Sequence, residues 1–235
     1  MQPAHADSRA RARIVLQSRL QKAFSLIAIL FQHYGINHPF SGTLGKNIPD
    51  TGAHVQQLCE ALMSVEIHSI WLMPNPADGQ FLAGLVADLS GRFGTPVFTP
   101  HLTVRGDTDL PVAALDAAIA EAASAVPAFS EAVARVETSD AYFRSFYARF
   151  AVAVPLAQLK QHLEPEAAEA FMPHVSLLYG FVPPSPKAEA AQEFQRMLAG
   201  RPIAFDRLCV VRSGQDVPIS EWAVIRTARL AASPA

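Results

Sequence analysis

Cysteine is scarce in this chain: Cys59 and Cys209 are the only two in 235 residues. Neither stands in a CxxC or Cys/His spacing, so a disulfide framework and a cysteine-based metal site are both excluded. The two thiols fit a reducing compartment, and the expectation is a cytoplasmic protein. Long apolar runs are missing as well. The longest, Phe24 to Phe31, falls short of the ~18 residues that span a bilayer, and no small-residue cleavage site follows it, so no membrane association is expected. A surplus of either charge is also lacking. Lys and Arg total 19 against 21 Asp and Glu, a formal net charge of −2. That balance argues against a protein that tracks long nucleic acid. A small phosphorylated ligand needs only a few local donors and is compatible with it.

What is present is a globular composition, 50% hydrophobic, long enough to bury a core. Its first sixty residues differ from the rest. No acidic residue occurs between Asp7 and Asp50, whereas Arg9, Arg11, Arg13, Arg19, Lys22 and Lys46 do. Residues 14–34 fit one helix, and 35–52, with four glycines and two prolines, fit loop or disorder. A targeting segment, a solvated tail and sequence outside the folded unit all fit this pattern. The expected division is an N-terminal extension over 1–62, one domain over 63–230 and a tail over 231–235.

From about residue 65 the pattern is regular. Strands are expected at Ile67–Met73, His101–Arg105, Ala132–Glu137, Arg144–Val154, Phe171–Tyr179, Ile203–Arg212 and Trp222–Thr227. Helices are expected over 78–93 with Asp78 as N-cap, over Val112–Ala125, over 156–169 and over 186–199. Hairpin-like neighbours without strict βαβ alternation point to an α+β fold with largely antiparallel sheets. A helix followed by a histidine-bearing strand occurs twice, which suggests two halves.

Two segments carry the chemistry: Pro100-His101-Leu102-Thr103-Val104 and Pro173-His174-Val175-Ser176-Leu177. Both read Pro-His-apolar-hydroxyl-apolar. On a strand, residues two apart share a face. His101 and Thr103 therefore project together, as do His174 and Ser176, while Leu102, Val104, Val175 and Leu177 turn towards a core. Side by side, the two strands present two imidazoles and two hydroxyls. Opening a cyclic phosphate calls for such a set: a neutral imidazole to take a proton from water, a protonated one to give a proton to the leaving oxygen, and hydroxyls for the phosphate oxygens. Histidine titrates near neutral pH and suits both proton roles. One His-x-Thr on a strand is a weak signal; two matching copies are a strong one.

With these motifs the chain resembles the 2H phosphoesterases, and within them the cyclic phosphodiesterase branch. The resemblance extends to His68-Ser69-Ile70-Trp71-Leu72-Met73-Pro74, to the run Pro96-Val97-Phe98-Thr99-Pro100, and to the continuation Leu178-Tyr179-Gly180, and covers about residues 65–228. It implies a two-lobed fold, two mostly antiparallel sheets with flanking helices and a central cleft. It also implies metal-independent opening of ribose cyclic phosphates, with ADP-ribose 1″,2″-cyclic phosphate and nucleoside 2′,3′-cyclic phosphates as substrates. His101 and His174 carry over as catalytic, Thr103 and Ser176 as phosphate-binding, and Trp71 and Tyr179 as substrate-binding. No cofactor or metal is expected, and the expected partner is a small nucleotide-like cyclic phosphate bound by a monomer.

Other readings stay open at this point. One is an RNA-end 2′,3′-cyclic phosphodiesterase or 2′-5′ RNA ligase, which calls for a basic groove. Another is a non-catalytic phosphate-binding module. Zinc ligation by the histidines lacks a carboxylate or cysteine at matching spacing. Phe146 and Tyr147 read as packing, His68 as a surface or edge histidine, and Arg105 and Arg149 as solvated surface. His5, His33, His38, His54 and His162 have no partner pattern.

Overall fold

The computed structural model of the protein describes residues 66–215 and 217–232. The extension over 1–62, the helix at 14–34, Cys59, Met63 and the histidines at 5, 33, 38 and 54 lie outside the described residues.

Seven strands form the frame: β1 (His68–Pro74), β2 (Leu102–Thr108), β3 (Phe129–Thr138), β4 (Phe146–Phe150), β5 (His174–Leu178), β6 (Pro202–Arg212) and β7 (Ala223–Arg229). They run in the order β1-β2-β5-β4-β3-β6-β7, every named pair antiparallel. A further pairing of β1 with β6 closes the order into a ring. The two expected sheets are thus two lobes of one hydrogen-bonded array. Their central join is slight: β2 meets β5 through the single pair Leu102–Val175.

Alternation along the strands sorts the side chains onto two faces. Ile70, Leu72, Leu102, Val104, Phe146, Ala148, Phe150, Val175, Leu177, Leu208 and Val210 enter the main core. The helices α1 (Pro76–Phe93), α2 (Val112–Ala125), α3 (Val154–Leu163) and α4 (Pro184–Leu198) complete that core through Leu82, Leu89, Ile119, Leu159 and Phe194. On the other face Trp71, Met73, Cys209 and Val211 form a second cluster against Trp222. The motif histidines and hydroxyls belong to this second face.

Helix ends follow local chemistry. α1 starts two residues before the expected position. Its N-cap is Asn75, whose side chain accepts from the Asp78 N–H at 2.8 Å. Asp78 instead accepts from the Ala204 N–H at 2.9 Å and ties the helix to β6. α1 ends at Gly94, which takes the left-handed conformation (φ 67°) open to glycine. α3 stops at Leu163, well before the expected 169, because Pro165 forces Glu164 out of helical geometry; a 3₁₀ turn over Pro165–Ala167 follows. Among the described residues, no helix is long and apolar enough to cross a membrane.

His68 is not at a surface or edge. It is 3% exposed, because β1 is flanked on both sides by β2 and β6.

Candidate active site

The two histidine motifs repeat in space as they do in sequence. His101 Nδ1 lies 2.7 Å from the Thr99 carbonyl oxygen, and His174 Nδ1 lies 2.8 Å from that of Met172. A carbonyl only accepts, so Nδ1 carries the proton in each ring and Nε2 of the neutral imidazole keeps its lone pair. The accepting carbonyl is two residues upstream in both cases, with Pro100 or Pro173 between. Proline fixes its own φ and holds the preceding residue extended. This gives a local reason for the proline in each motif: it sets the carbonyl that orients the ring.

The join between the lobes brings the motifs together. Around Leu102–Val175, antiparallel register sets His101 alongside Ser176 and Thr103 alongside His174. Each imidazole therefore neighbours the other motif's hydroxyl. The two rings also sense each other's charge, since His174 lowers the pKa of His101.

Their surroundings differ. His101 is 6% exposed and lies flat on Trp71, ring centroids 3.4 Å apart and planes 4° apart. Trp71 reaches it because Trp71 pairs with Thr103 across β1 and β2. Burial pushes the His101 pKa down to about 4, against the opposing pull of the Thr99 carbonyl. His174 is also lowered, first by burial and then by Arg144 and Arg149, while the Met172 carbonyl and Glu137 oppose the shift. Tyr147 stands edge-on to His174 at 5.2 Å, and Arg149 is its cross-strand partner on β4. Behind them Glu137 accepts from Tyr147, Arg135 and Arg149. Burial raises the Glu137 pKa, but these donors hold it below its ordinary value.

Ser176 donates to the Phe143 carbonyl at 3.2 Å, and its hydroxyl is hydrogen-bonded with that of Tyr179. Burial raises the Tyr179 pKa, so the phenol stays protonated. Its ring stacks on Phe98 at 3.7 Å, which places the aromatic of the Pro96–Pro100 run.

Of the six residues singled out from the sequence, Trp71 and the four motif side chains are on this face, whereas Tyr179 belongs to the main core and meets the site through its hydroxyl. Tyr147, read as packing, touches His174, whereas its neighbour Phe146 is core. Arg149, read as surface, is beside His174. Arg105 is held elsewhere, by the Leu163 carbonyl and Glu166. Trp222, Arg144 and Glu137 were not singled out. Trp222 belongs to no motif and reaches the site from the turn before β7. Arg144, expected to open the strand Arg144–Val154, closes a 3₁₀ turn (Tyr142–Arg144) instead. An open groove of about 630 Å³ borders Trp71, Thr99 and Pro100, and Trp222 is in its wall. Among the described residues, no three His, Cys, Asp or Glu side chains are grouped to hold a metal ion.

No protein-family profile matches the sequence. A cyclic phosphodiesterase of Arabidopsis thaliana is 22% identical over 173 residues, which are 70% of this chain and 96% of that protein. Among solved structures, E. coli LigT complexed with 3′-AMP aligns with a TM-score of 0.46 at 14% identity, over 72% of this chain and 99% of that one. E. coli LigT complexed with phosphate gives 0.44 at 14% identity, over 71% and 98%. A structure described as a phosphoesterase gives 0.44 at 14% identity, over 71% and 99%.

Proposed function

We propose that this chain, a member of the 2H phosphoesterase superfamily, is a phosphodiesterase that opens a ribose cyclic phosphate to a phosphomonoester. The observation that carries the reading is the pair of imidazoles. Each is fixed by a backbone carbonyl at Nδ1, each keeps Nε2 for proton transfer, and each neighbours a hydroxyl of the opposite motif. The likeness to the Arabidopsis cyclic phosphodiesterase, over nearly all of that protein, supports it.

In this reading His101 is the general base. Its burial on Trp71 favours the neutral ring, whose Nε2 takes a proton from water as the water oxygen bonds to phosphorus. His174 is the general acid. Glu137 opposes the lowering of its pKa, and its Nε2–H gives a proton to the sugar oxygen as the P–O bond of the ring breaks. Thr103 and Ser176 donate to the non-bridging oxygens, where charge builds. Ser176 does so by turning from the Phe143 carbonyl, with the Tyr179 hydroxyl beside it. Arg144 and Arg149, whose charge already reaches His174, attract the anionic phosphate. Proton donor, proton acceptor and phosphate donors all come from side chains of the chain.

The test is hydrolysis of a panel by purified protein: nucleoside 2′,3′-cyclic phosphates, ADP-ribose 1″,2″-cyclic phosphate and an RNA ending in a 2′,3′-cyclic phosphate, each with and without EDTA. Expected is turnover of a small cyclic phosphate to a monoester, unchanged by chelator. Loss of activity with EDTA and its return with one divalent ion would replace this mechanism with a metal-assisted one. Binding of phosphate without turnover of any substrate would leave a binding module.

A further inference from the structure

The two aromatic side chains that the sequence puts forward for holding a substrate ring have little face to offer. Trp71 is 4% exposed, and His101 covers one face of its indole. Tyr179 is 4% exposed, with its ring on Phe98 and its hydroxyl on Ser176. Trp222 is different. It is partly exposed, and its ring lies 5.6 Å from Trp71, 6.4 Å from His101 and 5.9 Å from Tyr179 between centroids. All three of those rings are steeply inclined to it. The ring nearest to parallel, Phe143, is 30° off with its centroid 6.0 Å away, so no described ring lies flat on Trp222 as His101 does on Trp71. Its position is nonetheless fixed. Its Nε1–H donates to the Val217 carbonyl at 3.1 Å, and it follows the 3₁₀ turn Ile219–Glu221.

Trp222 and Trp71 share the groove beside His101 with Met73, Val97, Ile219 and Val224. Val97 is 63% exposed and Val224 53%, so apolar side chains meet water along this groove, the mark of a surface that takes up a partner. Arg207, the cation in its wall, is already paired with Asp206 at 2.6 Å. The groove therefore suits an uncharged planar group and, among the described residues, offers no free cation to a pyrophosphate. It begins at Thr99 and Pro100, directly before the catalytic imidazole, so that group must be joined to the phosphate through little more than a sugar. We propose that this groove receives the base of a nucleoside cyclic phosphate, with Trp222 as its stacking wall and specificity-determining residue. This rests on the function proposed above and narrows its substrate class to nucleoside cyclic phosphates.

The test compares a nucleoside 2′,3′-cyclic phosphate with base-free ribose 2′,3′-cyclic phosphate. The wild type should prefer the nucleoside by about tenfold or more in kcat/KM, chiefly through KM, the scale of one stacked base. Trp222→Leu should bring the ratio of the two efficiencies towards one, and Trp222→Phe should keep most of it. Equal wild-type efficiencies, or a ratio unchanged in Trp222→Leu, would overturn the proposal whatever the variants do to overall turnover. A second measurement needs no turnover. Trp71 and Trp222 are the only tryptophans of the chain, so Trp71→Phe leaves Trp222 as the sole indole emitter. Adenosine 2′-monophosphate should quench its emission saturably, and ribose 5-phosphate should not; equal effects would overturn the proposal. Should the wild type open no cyclic phosphate at all, the proposed function fails, and the quenching alone decides for or against a base site.

Discussion

At the scale of single residues, the two histidines have the same hydrogen bond but different surroundings, and this difference is measurable. Replacing either with Gln should lower kcat/KM by about 10²–10⁴ with the fold retained. The wild-type pH–rate profile should be a bell. His101→Gln should remove its acidic limb, set by the base, and His174→Gln its alkaline limb, set by the acid; the reverse assignment of limbs would exchange the roles. Stability carries a second signature. Burial takes the His101 pKa from 6.5 to about 4, so the folded state holds the neutral ring. Its contribution is whole above pH 6.5 and is withdrawn as pH falls towards 4, a loss of about 2–3 kcal/mol over that window. Urea unfolding at pH 7.5 and 4.5 should show a wild-type loss that shrinks in His101→Gln. The four motif side chains were legible because each motif is local and repeated, and strand alternation then fixes which side chains share a face. Trp222, Arg144 and Glu137 were not. They come to the site through the turn before β7, a 3₁₀ turn and β3, and no short spacing ties them to either motif.

At the scale of elements, composition and turn residues placed all seven strands and four α-helices of the described residues, and the misses are at ends. The sequence held the signal for one of these, since Pro165 marks where α3 stops. It held less for β4, whose expected start, Arg144, closes a 3₁₀ turn, so that the strand begins at Phe146. The connection from β5 to α4 depends on one glycine. Gly180 has φ 136°, and a Cβ there would meet Thr95 Cγ2 at 2.8 Å. Its N–H donates to the Tyr142 carbonyl at 3.0 Å, and it directly follows Tyr179, which bonds Ser176. Gly180→Ala should cost on the order of 2–3 kcal/mol through strain and overpacking, and lower turnover by displacing Tyr179. Gly84 is the contrasting case. It lies exposed in α1 with nothing within 4 Å of a built Cβ. Gly84→Ala should therefore raise stability by about 0.5–1 kcal/mol. Thermal unfolding of the two variants should move in opposite directions.

At the scale of the whole molecule, what could not be read was closure. The pairing of β1 with β6 joins residues more than a hundred positions apart, and it is this pairing that buries His68 and turns two sheets into a ring. Because the ring closes with residues from His68 onward, we expect a chain beginning at Met63 to keep the melting temperature and kcat/KM of the full chain; a large fall in either would make residues 1–62 part of the working protein. The same ring has one thinly stitched line, the Leu102–Val175 pair between β2 and β5, and the motif histidines and hydroxyls straddle it. Few ladder bonds there mean little local protection, so amide protons along that line should exchange with deuterated solvent sooner than those of β1 and β6. A phosphate gripped by hydroxyls from both strands would act as a clasp. Adding a nucleoside monophosphate should then slow exchange at the seam more than anywhere else in the sheet, so that substrate itself supplies the rigidity the two lobes lack when apart.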